Sequence, residues 1–176
     1  AGPAALLRGN RIVLPHATID LAAALLAALR EQGLTAATAE SCTGGLVAAA
    51  LTAVPGSSDA VQGGFVTYSN AMKTRLLGVP EAVIARYGAV SEECARAMAE
   101  GALREAEAGL ALATTGVAGP GGGSPEKPVG LVYIAAARRG RNPVVRRCLI
   151  PGDRDAVRVA TVETALRMAL VELGAG

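Results

Sequence analysis

Residues 34–45 read LTAATAESCTGG: a short apolar run bearing threonines, then an acid, a serine, a thiol, a threonine and two glycines. The apolar run has the length and composition of a buried strand, taken as 34–39. CTGGLVAAALTAV (42–54) then reads as a helix that Pro55 stops. A strand that turns directly into a helix opens a βαβ unit, and this stretch therefore points to an α/β fold.

The flanking sequence continues the alternation. Upstream, Thr18 is placed to cap a helix whose Leu21, Leu25, Leu26 and Leu29 recur at helical spacing before Gly33. Downstream, GGFVTYS (63–69) reads as a strand and NAMKTRLLG (70–78) as a helix, with a short helix from Pro80 through Tyr87. Ser91, followed by Glu92 and Glu93, opens a long helix with acids where the macrodipole favours them. GLALATTG (109–116) is a third strand. VGLVYIAAARRG and NPVVRRCLIPG form an antiparallel hairpin turning at Gly140, Arg141 and Asn142. A last helix begins at Asp153 and Asp155. The expected architecture is three-layer α/β/α, with a mostly parallel mixed sheet of about five strands ending in the hairpin. Residues 17–176 are expected to form a single domain and 1–16 an N-terminal extension.

Composition narrows the function. The 176 residues are 51% hydrophobic, 18% charged and only 2% aromatic, so the core must be built from Ala, Val, Leu and Ile. A net charge of +2 gives no reason to expect a polyanionic partner. No apolar run approaches the ~18 residues of a membrane span, and AGPAALLRGN lacks the form of a signal peptide. The missing initial Met is read as a processed or engineered end. Cys42, Cys94 and Cys148 are odd in number and widely spaced, which fits a reducing cytoplasm and neither a disulfide framework nor a zinc site. No metal or other cofactor is expected.

Three strands run into hydroxyl-bearing clusters: Glu40-Ser41-Cys42-Thr43, Thr67-Tyr68-Ser69-Asn70 and Thr114-Thr115-Gly116. In an open α/β sheet, ligands bind beyond the carboxyl ends of the strands, so parallel neighbours would bring the three together. Ser41 or Cys42 can be a nucleophile there, or the turn can be no more than a capped helix start. Backbone N–H groups near Thr43 and Gly44 can receive an oxyanion. A serine needs a base, and the single histidine, His16, lies before the first helix without a motif around it. Lysine is the alternative, and the chain has two, Lys73 and Lys127, against fifteen arginines. Arginine does not deprotonate, whereas a desolvated lysine can. Tyr68, five residues before Lys73, can relay the proton or be an ordinary half-buried strand residue. GPGGG (119–123), with Gly121 and Gly122 at its centre, can cradle phosphate or be a surface loop. It is not a Walker loop. Arg154 can reach an anionic group. The hairpin arginines read as a solvated turn, and nucleic acid is not expected as a partner.

AESCTGG, GFVTYSNAMK, GAVSEE and TTGVAGPGGGSPEKPVG, in this order, resemble the competence/damage-inducible CinA C-terminal domain family, the nicotinamide-nucleotide amidohydrolases. The resemblance covers about residues 17–174. The larger members carry an additional N-terminal domain, of which nothing is expected here. It implies hydrolysis of nicotinamide mononucleotide to nicotinate mononucleotide and ammonia, in pyridine-nucleotide salvage. By motif it implies Ser41 as nucleophile, Lys73 as base and Tyr68 assisting proton transfer. Thr115, with Gly116 beside it, and Arg154 would then position the substrate or its phosphate. It also implies no metal and a homodimer. The rival expectations are a non-catalytic nucleotide- or phosphate-binding module and a competence-related DNA-associated factor.

Overall fold

A computed structural model describes residues 14–176. The expectation of an N-terminal extension over 1–16 falls largely outside these residues. The elements run α1 (His16–Glu31), β1 (Ala36–Glu40), α2 (Leu46–Thr52), a 3-10 turn (Ser57–Asp59), β2 (Val61–Val66), α3 (Asn70–Leu77), α4 (Glu81–Tyr87) and α5 (Glu92–Glu105). They continue as β3 (Leu110–Gly116), β4 (Leu131–Arg138), β5 (Val144–Leu149) and α6 (Arg154–Glu172).

The strands form one five-stranded mixed sheet in the order β2-β1-β3-β4-β5. β1 pairs parallel with β2 and with β3, while β4 runs antiparallel to both β3 and β5. Two reversals cancel, and β5 therefore points the same way as β1, β2 and β3. Its carboxyl end delivers Asp153 and the start of α6 to the rim where the three parallel strands finish. The α/β sandwich and the hairpin expected from the sequence are thus present.

Side-chain alternation sorts the core into two halves. Ala36, Leu110, Leu112, Val132, Ile134 and Ala136 face one way, into a core closed by α2 and α6 with α1 packed on both. Ala37, Ala39, Ala111, Ala113, Ala135 and Ala137 face the other way, against Ala95, Met98, Ala99 and Ala102 of α5. The middle of that second face is alanine methyl groups, which lets α5 lie close, with Phe65, Tyr133 and Val145 partly buried at its margins. α5 in turn carries Gly101 against α3, where a Cβ would run into the Leu77 carbonyl.

The strands expected at 34–39 and 63–69 run instead over Ala36–Glu40 and Val61–Val66, and two helix starts differ from expectation, each for a local reason. α1 begins at His16 directly after Pro15, two residues before the expected cap. Thr18 is buried inside the first turn, and its hydroxyl donates to Glu163 of α6 at 2.8 Å. α2 begins at Leu46, four residues late, because Gly44 and Gly45 take φ of +57° and +101°, outside the right-handed helical region.

Candidate active site

Ser41 follows β1 directly, and its N–H extends the ladder by donating to the Thr114 carbonyl at 2.9 Å. Thr67 extends β2 in the same way, donating to the Glu40 carbonyl at 2.9 Å. The chain then turns at Ser69, whose hydroxyl caps α3 by accepting from Met72 N–H. One turn into α3, Lys73 points back under the rim and is 1% exposed. Its Nζ lies 3.0 Å from Ser41 Oγ, 2.7 Å from the Thr67 carbonyl and 3.2 Å from the Tyr68 carbonyl.

This triplet has a chemical consequence. Burial pushes the Lys73 pKa down, because desolvation penalises the ammonium. Among the described residues no carboxylate forms an ion pair with it. A neutral amine has two N–H groups and one lone pair. In that form the two carbonyls, which can only accept, would take both N–H groups and leave the lone pair toward the Ser41 hydroxyl, the geometry a general base requires. Beside it, the Thr67 hydroxyl is the one buried side-chain oxygen or nitrogen among the described residues without a hydrogen bond.

Cys42 is buried and packs into the α2–α6 core. Burial raises its thiol to about 11, so at neutral pH it is protonated and a poor nucleophile. Of the two open candidates, Ser41 is the one in hydrogen-bond contact with Lys73 Nζ.

A pocket of about 220 Å³ opens above Ser41 and Lys73, lined also by Cys42, Tyr68, Asn70, Ala89, Val90, Thr115, Gly116, Ala118 and Arg154. All three strand-end clusters meet here, as the parallel register requires. Tyr68 is 64% exposed, and its hydroxyl accepts from Arg154 Nη2 at 3.4 Å instead of touching Ser41 or Lys73. Arg154 also donates to the Gly119 carbonyl at 2.7 Å, which ties the start of the glycine loop to the rim. Thr115 is buried and donates to the Ala89 carbonyl at 2.8 Å, fixing the wall formed by Ala89 and Val90.

Four expected binding residues lie outside the lining. Gly121 and Gly122 are exposed, farther along the loop. Thr43 is buried, and its hydroxyl donates to Glu40 at 2.7 Å while sharing a 2.7 Å hydrogen bond with Thr114. The Gly44 N–H, expected to receive an oxyanion, is already used within the turn by the Ser41 carbonyl at 3.0 Å.

Glu40 was not singled out from sequence. Its buried carboxylate accepts from the N–H groups of Gly45, Val47 and Ala48 at 3.2, 2.8 and 3.0 Å, and from the hydroxyls of Thr43 and Thr38 at 2.7 and 3.2 Å. It supplies the anion at the start of α2, a helix with no acidic residue in its own first turn. That absence, with an acid one residue before the serine, was the available signal.

Among the described residues, no three His, Cys, Asp or Glu side chains gather as metal ligands would, and no helix is long and apolar enough to cross a membrane.

The chain is an α/β domain with an open mixed sheet, and a serine and a buried lysine meet beyond its strand ends. The chain belongs to the CinA C-terminal domain family, whose pattern matches residues 18–173. It is 51% identical over 154 residues to a CinA-like protein of Akkermansia muciniphila, covering 88% of this chain and 37% of that protein. It is 56% identical over 149 residues to a CinA-like protein of Geobacter sulfurreducens, covering 85% and 35%. The chain thus spans little more than a third of these curated relatives. The competence/damage inducible protein CihA from Agrobacterium tumefaciens superposes with a TM-score of 0.89 at 45% identity, over 93% of this chain and 99% of that one.

Proposed function

We propose that this domain hydrolyses the carboxamide of nicotinamide mononucleotide, giving nicotinate mononucleotide and ammonia through an acyl-enzyme on Ser41. The observation that carries the reading is the 3.0 Å contact between Ser41 Oγ and Lys73 Nζ, with the lysine buried and its other contacts made to two carbonyls.

Lys73 takes the Ser41 proton as Oγ bonds to the amide carbon. The C–N bond then breaks, the nitrogen takes the proton from Lys73, and ammonia leaves. Water adds to the ester, Lys73 accepts its proton, and the C–Oγ bond breaks as that proton returns to Ser41. Arg154, on the rim with Tyr68, is suited to the phosphate, and Thr115 and Gly116 to the ring-bearing end inside the pocket. Membership of the CinA C-terminal domain family supports this reading at the coarser level of a CinA-like function.

The test is ammonia release from nicotinamide mononucleotide by the wild type and by Ser41→Ala, with free nicotinamide as comparison. Turnover of the mononucleotide that vanishes in Ser41→Ala is expected, with little turnover of nicotinamide. Ammonia release unchanged in Ser41→Ala rejects the nucleophile, and equal turnover of both compounds rejects phosphate recognition.

A further inference from the structure

The backbone of the nucleophile turn can be accounted for group by group. From Ser41 to Ala48, the Ser41 N–H goes to the Thr114 carbonyl, that of Gly44 to Ser41 and that of Leu46 to Thr43, at 2.9, 3.0 and 3.1 Å. Glu40 takes those of Gly45, Val47 and Ala48. Two remain. The N–H groups of Cys42 and Thr43, the residues directly after the nucleophile, donate to no other residue among the described residues, and that of Cys42 lies near its own thiol.

Their directions are set from behind by α6. Arg158 Nε donates to the Cys42 carbonyl and its Nη2 to the Thr43 carbonyl, each at 3.2 Å. In a trans peptide the C=O and N–H of one unit point opposite ways. Holding the Cys42 carbonyl toward α6 therefore turns the Thr43 N–H away from it. The Ser41 carbonyl, engaged by Gly44, fixes the Cys42 N–H in the same manner. Gly44 is required here by its φ of +57°; a Cβ would make only ordinary contact with Arg158 Nη2, at 3.4 Å. A planar fork suits two adjacent carbonyls where a lysine offers a point charge.

We propose that the N–H groups of Cys42, which lines the pocket, and of Thr43, the next residue along the turn but itself outside the lining, receive the oxyanion formed when Ser41 attacks, and that Arg158 is a positioning residue that holds this pair ready. The proposal rests on the hydrolytic reading of Ser41 and Lys73, not on the identity of the substrate. One turn earlier on the same helix, Arg154 lines the pocket. α6 thus serves the site twice, once at its rim and once at the back of the nucleophile turn.

The test compares the wild type, Arg158→Met and Arg158→Lys, with Ser41→Ala as the blank, after circular dichroism has shown each to be folded. The first probe is 4-nitrophenyl acetate, which needs only a nucleophile and an oxyanion site. Acylation is expected to slow ~10²-fold in Arg158→Met, the scale of losing an oxyanion donor, with partial recovery in Arg158→Lys. The second probe is nicotinamide mononucleotide, for which kcat should fall by a similar factor and KM should stay within ~3-fold. The third is its carboxaldehyde analogue, which forms a tetrahedral adduct on serine and should lose affinity in step with kcat. Binding of the planar amide, measured in a Ser41→Ala background, should not change with Arg158. Unchanged ester acylation in folded Arg158→Met overturns the proposal, as does equal weakening of planar and tetrahedral ligands. A wild type inert to the ester also overturns it. If Arg158→Met does not fold, Arg158→Lys carries the same comparisons. Arg158-dependent ester acylation without ammonia release from the mononucleotide would refute the substrate assignment alone and leave the oxyanion site standing.

Discussion

Replacing Glu40 by Gln keeps shape and volume but changes one acceptor oxygen into a donor. The carboxylate now takes five hydrogen bonds, three from N–H groups at the start of α2 and two from threonine hydroxyls. In the less costly amide orientation, the carbonyl keeps Thr43, Gly45 and Val47, and the new NH2 faces the Ala48 N–H and the Thr38 hydroxyl. The hydroxyl can reverse and accept, but the Ala48 N–H cannot. An unsatisfied N–H costs ~1–3 kcal/mol, and losing an anion at a helix start costs ~0.5–1 kcal/mol more. The expected destabilisation is about 1.5–4 kcal/mol, which for a chain of this size lowers Tm by about 3–16 °C. Urea unfolding at pH 7, with thermal unfolding alongside, measures both. Because Ser41 follows Glu40 directly, acylation of Ser41 should also slow. An unfolding free energy within about 0.5 kcal/mol of wild type would refute the claim that this carboxylate anchors the turn.

Other outcomes follow from the same geometry. Lys73→Arg keeps the charge and removes the base, so turnover should be lost; ammonia release at more than a tenth of the wild-type rate would mean that Lys73 serves only as a cation. With its folded pKa below the ordinary lysine value, Lys73 binds fewer protons folded than unfolded between those two pKa values. Stability should therefore rise with pH across that window, and Lys73→Met should flatten the slope in urea titrations. Turnover should likewise rise with pH as Lys73 loses its proton. Gly101→Ala gains helix propensity but forces α5 off the Leu77 carbonyl, and a net loss of ~1–3 kcal/mol is expected in denaturant unfolding. Arg154→Ala should raise KM for the mononucleotide by ~10-fold or more with a smaller effect on kcat, and an unchanged KM would remove it from phosphate recognition.

The sheet was legible because its strands are short, apolar and punctuated, and because parallel neighbours must end on one rim. That reasoning alone gathers Ser41, Tyr68 and Thr115; lysine scarcity leaves Lys73 and Lys127, and Lys73 follows the second of those strand ends and lies in the motif of the resemblance. Glu40 and Arg158 were not legible in the same way. Each acts on backbone groups, and a backbone partner leaves no mark in a residue pattern. Glu40 reads as the polar end of a strand until its carboxylate is seen facing three N–H groups. Arg158 reads as one of many helix-face arginines, although its spacing of four from Arg154 places both on one side of α6. Gly121 and Gly122 show the converse: a conspicuous glycine run drew attention, while the contact to the site is made earlier, at the Gly119 carbonyl.

The direction of β5 carries a further lesson about parity. Between β3 and α6 the chain reverses twice, and only an even number of reversals returns it to the rim that holds Ser41. Deleting β4 or β5 alone would deliver Arg154 and Arg158 to the wrong edge of the sheet, whatever else survived. The hairpin tip at residues 139–143, by contrast, lies a full strand length from the site. It is a place where the chain can be lengthened, labelled or tethered while the count of reversals, and with it the site, stays intact.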